Sequence, residues 1–474
     1  MTAVHSTSNA AVSKATRTPR RGSLERFRDG TLLGVLAWAP LPFGSARPWA
    51  WDLLGAFAIL LLTVSGICEA QRPSKRGALA SLIPALVMAG VLAGWIVFQS
   101  LPWNLFGWHH PLWDRVSDVL GHKLNASLSL NREASFVHLF RLMTYAGYFF
   151  VAWQVARRVE GAALIVRAIA AIGALYAVYG LLEFISPQPQ ILWFVKDTYI
   201  TDVTSTFINR NSYATFAGIS MIANLVLIAN VLIKNTDTRS RKSVALSMVD
   251  NLFARARWQM LGLIVISASL LMSHSRGGLI ASFAGVTVLL ILILVAPAAR
   301  APWRYWFGGF VGVAWLAMIV LTGTSTLSRF DSASLDLEMR PKINQALLRA
   351  IHDNFVSGTG LGSFPSIFQL YQPLSIVGYV EMAHNDYLEN MLELGIPAAI
   401  LLFAIVVYLA SRCLMGVFRR RRDVIFPCAG AAATALVGVH SAFDFSMQIP
   451  AVAISYAVIL GVGVAQSVNS RDQI

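Results

Sequence analysis

The chain has 474 residues, of which 56% are hydrophobic and 13% charged, and its mean hydropathy is +0.60. A water-soluble domain cannot bury that much apolar surface. The composition therefore points to an all-α polytopic membrane protein, because lipid cannot satisfy an open sheet edge. The formal charge of +14 would suit a nucleic-acid binder, but its distribution along the chain reads as membrane topology.

The first thirty residues, "MTAVHSTSNAAVSKATRTPRRGSLERFRDG", are basic, rich in Ser and Thr, and lack the apolar stretch of a signal peptide. They are expected to form a disordered cytoplasmic tail over 1–30, ahead of a single transmembrane domain over 31–467 and a short tail over 468–474. Hydropathy predicts about twelve membrane segments: 31–47, 49–68, 79–99, 135–155, 162–185, 211–233, 258–274, 277–296, 305–323, 395–415, 425–442 and 449–467. Pro40 and Pro42 predict a kink in the first.

With a cytoplasmic N-terminus, the inner side receives "RRGSLERFR", "RPSKR", "KNTDTRSRK" and "FRRRR". About 26 of the 38 Lys and Arg then lie inside, with about 8 of the 24 Asp and Glu, as the positive-inside rule requires. Both termini are expected to be cytoplasmic. Cys68, Cys413 and Cys428 fall near inner segment ends, show no metal-ligand spacing, and read as packing residues.

Three outer loops are long: 100–134, 186–210 and 324–394, the last between the ninth and tenth segments. The first carries "LPWNLFGWHHPLWDRV", which reads as an interfacial aromatic belt with a short surface helix. Arg210 in "TFINRN" and Arg276 in "SHSRGGLIA" sit at outer segment ends. An arginine there either snorkels to headgroups or marks a site, and paired guanidiniums suit a diphosphate because each forks onto phosphate oxygens. "GTGLGSF" over 358–364 reads as a flexible turn or as a backbone nest for an anion. Arg340 lies upstream of it. "EMAHNDYLENMLELGIP" over 381–397 offers Asp386 as a helix cap with Glu389 three residues on. Gly395 and Pro397 should end that helix. His384 is not explained by the cap, and Asp444 lies in the last outer hairpin, "HSAFDFSMQIP".

Taken in order, "TFINRN", "SHSRGGLIA", "GTGLGSFPSIFQLYQP", "AHNDYLENMLELGIP" and "HSAFDFSMQIP" resemble the O-antigen ligase and O-antigen polymerase superfamily. The resemblance covers roughly residues 200–450. It implies a class C glycosyltransferase-like helical fold in the bacterial inner membrane, with its site on the periplasmic face. The implied donor is an undecaprenyl-pyrophosphate-linked glycan. The acceptor would be lipid A core for a ligase or a growing glycan for a polymerase, and the shared motifs leave that choice open. It implies no cofactor, no metal and no nucleic-acid partner. Arg210 and Arg276 would hold the pyrophosphate, and His384 would act as base or position the acceptor. Asn211, Arg340, Asp386 and Asp444 would support them. A flippase or transporter is the reading from another class; it would want charges along the membrane interior rather than at its outer ends.

Overall fold

The computed structural model describes residues 22–71, 77–102, 107–235, 241–297 and 334–467, with 305, 308–309 and 311–313 between them. It is almost entirely helical. Helices α1 (Ser23–Trp38), α2 (Pro48–Gln71), α3 (Gly77–Ala80), α4 (Ile83–Ser100), α5 (Leu112–Leu120), α6 (Arg132–Val155) and α7 (Val159–Phe184) form the first part. Then follow α8 (Arg210–Asn235), α9 (Arg241–Arg255), α10 (Arg257–Met272) and α11 (Arg276–Val295). The last part holds α12 (Ser334–Asp353), α13 (Phe364–Tyr371), α14 (Asp386–Leu394), α15 (Ile396–Arg419), α16 (Ile425–His440) and α17 (Pro450–Ala465). Among the described residues the only sheet is a small antiparallel hairpin, Gln190–Ile191 with Phe194–Val195, before α8.

Among the described residues, six helices are long and apolar enough to cross a membrane: α2, α4, α7, α8, α11 and α15. Three more, α10, α16 and α17, are apolar but shorter. This is the make-up of a polytopic membrane protein. Most of the ninth expected segment, 305–323, lies outside the described residues. The first expected segment is not one kinked helix. α1 stops at Trp38, and Pro40 and Pro42 lie in a turn leading to a 3₁₀ turn at Phe43–Ser45. Neither proline has a backbone N–H to continue a helix. Residues 23–30, expected in a tail, are the first turns of α1: Glu25 accepts from the Gly22 N–H at 3.2 Å and faces Arg158 at 3.6 Å. Residues 1–21 and 468–474 lie outside the described residues.

α8 is the hub. It is apolar on all sides, so it is buried on all sides, with 83% of its most apolar stretch inside the protein. α7, α10, α11, α16 and α17 pack around it. α2 and α15 present most of their apolar surface outward, with 33% and 22% buried, as lipid-facing helices do. Close packing needs small residues. A Cβ on Gly278 would lie 2.3 Å from the Ala214 Cβ, so glycine there lets the start of α11 touch α8.

The loops between alternate helices meet at one end of the bundle. Thr206 Oγ1 donates to the Pro40 carbonyl at 2.6 Å. The Val203 N–H donates to Met272 at 2.9 Å, and the Asp386 N–H to Ser441 at 2.9 Å. At the opposite end, Lys234 pairs with Asp423 at 2.9 Å and Arg157 with Glu69 at 3.3 Å.

Candidate active site

Arg210 is the first residue of α8, and Arg276 is the first of α11. Helix starts carry unpaired N–H groups and the positive end of the dipole. The two starts are tied together through Asn211. Its Oδ1 accepts from Ser275 Oγ at 2.7 Å, and Ser275 in turn caps α11 by accepting from the Gly278 N–H at 3.1 Å. The other end of the Asn211 amide donates to Asp444 Oδ2. One side chain therefore joins both arginine-bearing helix starts to the hairpin before α17. Arg276 is half-buried, and its neighbour Gly277 abuts Phe443 and His440.

Two histidine–aspartate pairs stand here. In the first, Asp202 accepts from Arg210 Nη1 at 2.7 Å and binds His274 Nδ1 at 2.8 Å. Arg210 also lies over the Tyr199 ring, 5.2 Å from its centroid, while its Nε is buried without a hydrogen-bond partner. In the second, His384 Nδ1 lies 3.6 Å from Asp444 Oδ2, beyond hydrogen-bond length but within reach of an ion pair. Arg340 Nη2 is 3.7 Å from the same oxygen, while its Nη1 donates to the Phe443 carbonyl at 2.7 Å. The His384 ring meets Phe445 edge-on at 4.9 Å, and its Nδ1 is buried without a hydrogen-bond partner. Both histidines hold left-handed backbone, φ +49° at His274 and +54° at His384, as non-glycine residues seldom do.

Both aspartates remain ionised. Burial alone would raise their carboxyls, but in each the neighbouring groups win. His274 and Arg210 hold Asp202 below the usual carboxylate range. His384, His440 and the Phe445 N–H do the same for Asp444.

α14 brings three carboxylates to one face, at Asp386, Glu389 and Glu393, all buried. The expected cap is corrected here. Asn385, not Asp386, caps the helix, accepting from the Tyr387 and Leu388 N–H groups at 3.1 Å each. Asp386 is one residue too far along, so its carboxylate takes Ser441 Oγ at 3.0 Å instead. Glu389 reaches back past the cap to the Ala383 N–H at 2.9 Å and takes Gln448 Nε2 at 2.9 Å. Gly395 ends the helix as expected, but Pro397 opens α15 rather than closing α14.

The glycine turn at 358–364 is occupied by the chain's own Glu393 carboxyl. The Phe364 N–H donates to its Oε1 at 2.9 Å, and the Gly362 N–H also serves it. Gly358, Gly360 and Gly362 all take positive φ, and a Cβ on Gly360 would lie 2.1 Å from Ser129 Oγ. Burial, with charge from Glu393, pushes Glu389 up to about 8. Burial pushes Glu393 up to about 7 and Asp386 well above its ordinary value.

Beside these groups lies a cavity of about 370 Å³. Tyr199 and Asn209 reach it from the Arg210 side, and Phe445 from the His384 side. Glu381, Glu389 and Glu393 line it, together with Arg47 and Arg141.

Of the residues singled out from sequence, Arg210, Asn211, Arg340, His384 and Asp444 are joined by the contacts above. Asp386 joins them through the hairpin backbone, and Arg276 stands beside Ser275. Asp202 and His274 are new. Asp202 lies eight residues before Arg210 in a loop where no periodicity applies, and His274 is hidden in the same motif as Arg276. Elsewhere, His109 pairs with Asp114 at 2.8 Å and His110 with Asn354 at 2.8 Å. Among the described residues, no three His, Cys, Asp or Glu side chains gather as a metal site would need.

The helical membrane bundle thus gathers arginines, two imidazoles and carboxylates at one end. Residues 261–403, from α10 into α15, are similar to the family described as O-antigen ligase, whose model they match. The matched stretch contains Arg276, Arg340, His384 and Asp386, while Arg210, Asn211 and Asp444 lie outside it. No curated protein matches the chain.

Proposed function

We propose that the protein is an inner-membrane glycosyltransferase. It moves an undecaprenyl-pyrophosphate-linked glycan onto an acceptor hydroxyl at the periplasmic face, with both termini cytoplasmic and about twelve membrane segments. The observation that carries this reading is His384. Its Nδ1 faces the ionised Asp444, within a stretch matched to the O-antigen ligase family. With Nδ1 protonated toward Asp444, Nε2 is left to accept a proton. The acceptor O–H proton passes to that nitrogen as the acceptor oxygen bonds to the anomeric carbon. The bond from that carbon to the phosphate oxygen breaks, its electron pair leaves with the pyrophosphate, and the anomeric configuration inverts. Asp444 steadies the imidazolium. Arg210 and Arg276 neutralise the leaving group at two helix starts, so the reaction draws its charge stabilisation from guanidinium groups and needs no added metal.

The test is transfer by the purified protein in nanodiscs, using a polyprenyl-diphosphate-linked glycan. Arg210→Ala and Arg276→Ala should each remove most activity at normal protein levels. Lysine at either position restores only part, because it keeps the charge and loses the fork. Wild-type rates in both alanine variants contradict the pyrophosphate role. Surface polysaccharide after gene deletion separates the two family activities. Long chains missing from lipid A core identify a ligase, and single repeat units on core identify a polymerase.

A further inference from the structure

We propose that the hairpin at 190–195 is a membrane seat. Its apolar tip enters the lipid leaflet on the side of the Arg210 cluster, and Lys196 ties that seat to Asp202. The proposal goes beyond the transferase reading and holds whatever reaction the site runs.

The outward surface of α7 leads into the hairpin. α7 is long and apolar enough to cross a membrane. Leu175, Val178 and Leu182 are exposed along it at helical spacing, and Ile185, just past its end, extends the stripe. A stripe of that kind on a spanning helix faces lipid. The hairpin adds Trp193, Phe194 and Val195, exposed at 76, 49 and 73%, and Ile200 follows. Phe194 meets the Phe43 ring edge-on at 5.2 Å and the Trp193 ring at 5.7 Å. Aromatic rings, tryptophan above all, collect where lipid meets water.

Charge points the same way. From Phe184 to Val195 the chain carries no charged residue. The two charges that flank this stretch, Glu183 and Lys196, are spent on each other inside the protein. They lie 3.1 Å apart, with side chains 5% and 1% exposed. A loop standing in water gains nothing by hiding its charges and showing its apolar groups. A loop lying in lipid must do both.

The hairpin is also built rather than loose. Strands of two residues each cannot hold themselves together in water. Leu192 takes left-handed backbone, φ +58°, in a turn position usually given to glycine or asparagine. Its N–H donates to the Tyr179 hydroxyl on α7 at 2.7 Å, and the Lys196 N–H donates to the Pro189 carbonyl at 3.0 Å. Neighbouring groups thus hold a strained turn, and that turn carries Trp193 at its tip.

Lys196 links the seat to the site. Its amine donates to Glu183 on α7 and, at 3.0 Å, to the Asp202 carbonyl. Asp202 in turn holds Arg210 and His274. Lifting the hairpin off α7 would strand the buried Glu183 charge and release Asp202 together.

The test uses the full chain in nanodiscs of phosphatidylethanolamine and phosphatidylglycerol. Cys68, Cys413 and Cys428 are buried, so spin labels go on introduced cysteines, with the unmodified chain as blank. Trp193→Cys and Val195→Cys report on the hairpin, Leu182→Cys on the lipid face of α7, and Gln369→Cys on exposed α13. Oxygen partitions into lipid, whereas a nickel chelate stays in water. The oxygen-to-nickel accessibility ratio at 193 and 195 should match that at 182 and exceed that at 369 by about fivefold or more. Nickel reaching 193 and 195 as freely as 369 overturns the proposal. So does exclusion of both reagents, which would mean that protein, such as a second copy of the chain, covers the hairpin.

Hydrogen exchange reads the tie to Asp202. The Asp202 and Val203 amides donate to Tyr199 and Met272 at 3.1 and 2.9 Å. Replacing the seat by Trp193→Ser with Val195→Ser should speed their exchange about tenfold, while the Gly360 and Phe364 amides keep their rates. Trp193→Ser alone gives the same result at smaller amplitude if the double variant does not fold. Unchanged exchange at 202 and 203, or an equal rise at all four amides, overturns the tie. Neither measurement needs turnover, so failure of the transferase reading would leave both results standing.

Discussion

The two histidine–aspartate pairs share their parts and differ in tightness. Each joins an aspartate to an imidazole through Nδ1, has an arginine on the same carboxylate, and keeps the histidine in left-handed backbone. The imidazoles are about equally exposed, 27% at His274 and 29% at His384. Asp202, however, makes full hydrogen bonds to both partners, at 2.7 and 2.8 Å, so its geometry is closed. Asp444 spends its hydrogen bonds on Asn211 and the Phe445 N–H and leaves His384 at 3.6 Å. A closed pair fixes a neighbour, here Arg210. An open pair can tighten when its histidine takes a proton, which suits a group that must change charge during the reaction. Under the proposed function, the difference makes Asp202 the positioning group and His384 the proton carrier.

That contrast can be broken by substitution. Asp444→Asn should have the largest effect, about 10²-fold in kcat with the donor KM nearly unchanged, because the imidazolium loses its counter-charge. Steady-state kinetics at several donor concentrations reads both numbers. Asp202→Asn should instead raise the donor KM by roughly tenfold and leave more of kcat, since it frees the Arg210 fork without touching the base. Equal effects of the two on kcat would erase the distinction.

A smaller effect concerns stability. Glu389 and Glu393 titrate higher in the fold than their ordinary value, so the native state binds their protons more tightly than the unfolded chain does. Their contribution is complete below about pH 4.5 and is lost as pH rises through about 7 to 8. Thermal unfolding in detergent should show Tm falling across that window, and Glu389→Gln should flatten the fall. The smallest effect is Asn385→Ala, which should cost about 1 kcal/mol through the lost cap of α14. Asp386→Asn, which keeps the cap and the shape, should leave that helix end intact.

Hydropathy and charge made the helical membrane character legible, because lipid imposes the same demand on every span. The polar residues at segment ends were legible for the same reason: Arg210, Arg276, His384 and Asp444 stand out where apolar residues are the rule. What was not legible depends on loops folding back. Asp202 meets Arg210 only because the 186–209 loop returns over the start of α8. Glu393 fills the glycine turn only because α14 packs beside it, and nothing local marks that pairing. The shift of the cap from Asp386 to Asn385 is a one-residue matter, since both side chains are good caps and backbone conformation decides between them. Proline proved ambiguous in the same way: Pro40 lies beyond a helix end, and Pro397 marks a beginning.

The most direct measurement is turnover of His384→Ala with a purified lipid-linked donor, with donor binding measured in parallel. The account predicts a loss of about 10²-fold or more in kcat with donor affinity largely kept, because the arginines rather than the histidine hold the pyrophosphate. Near-normal turnover would contradict it and leave His384 as a residue that merely precedes the cap of α14.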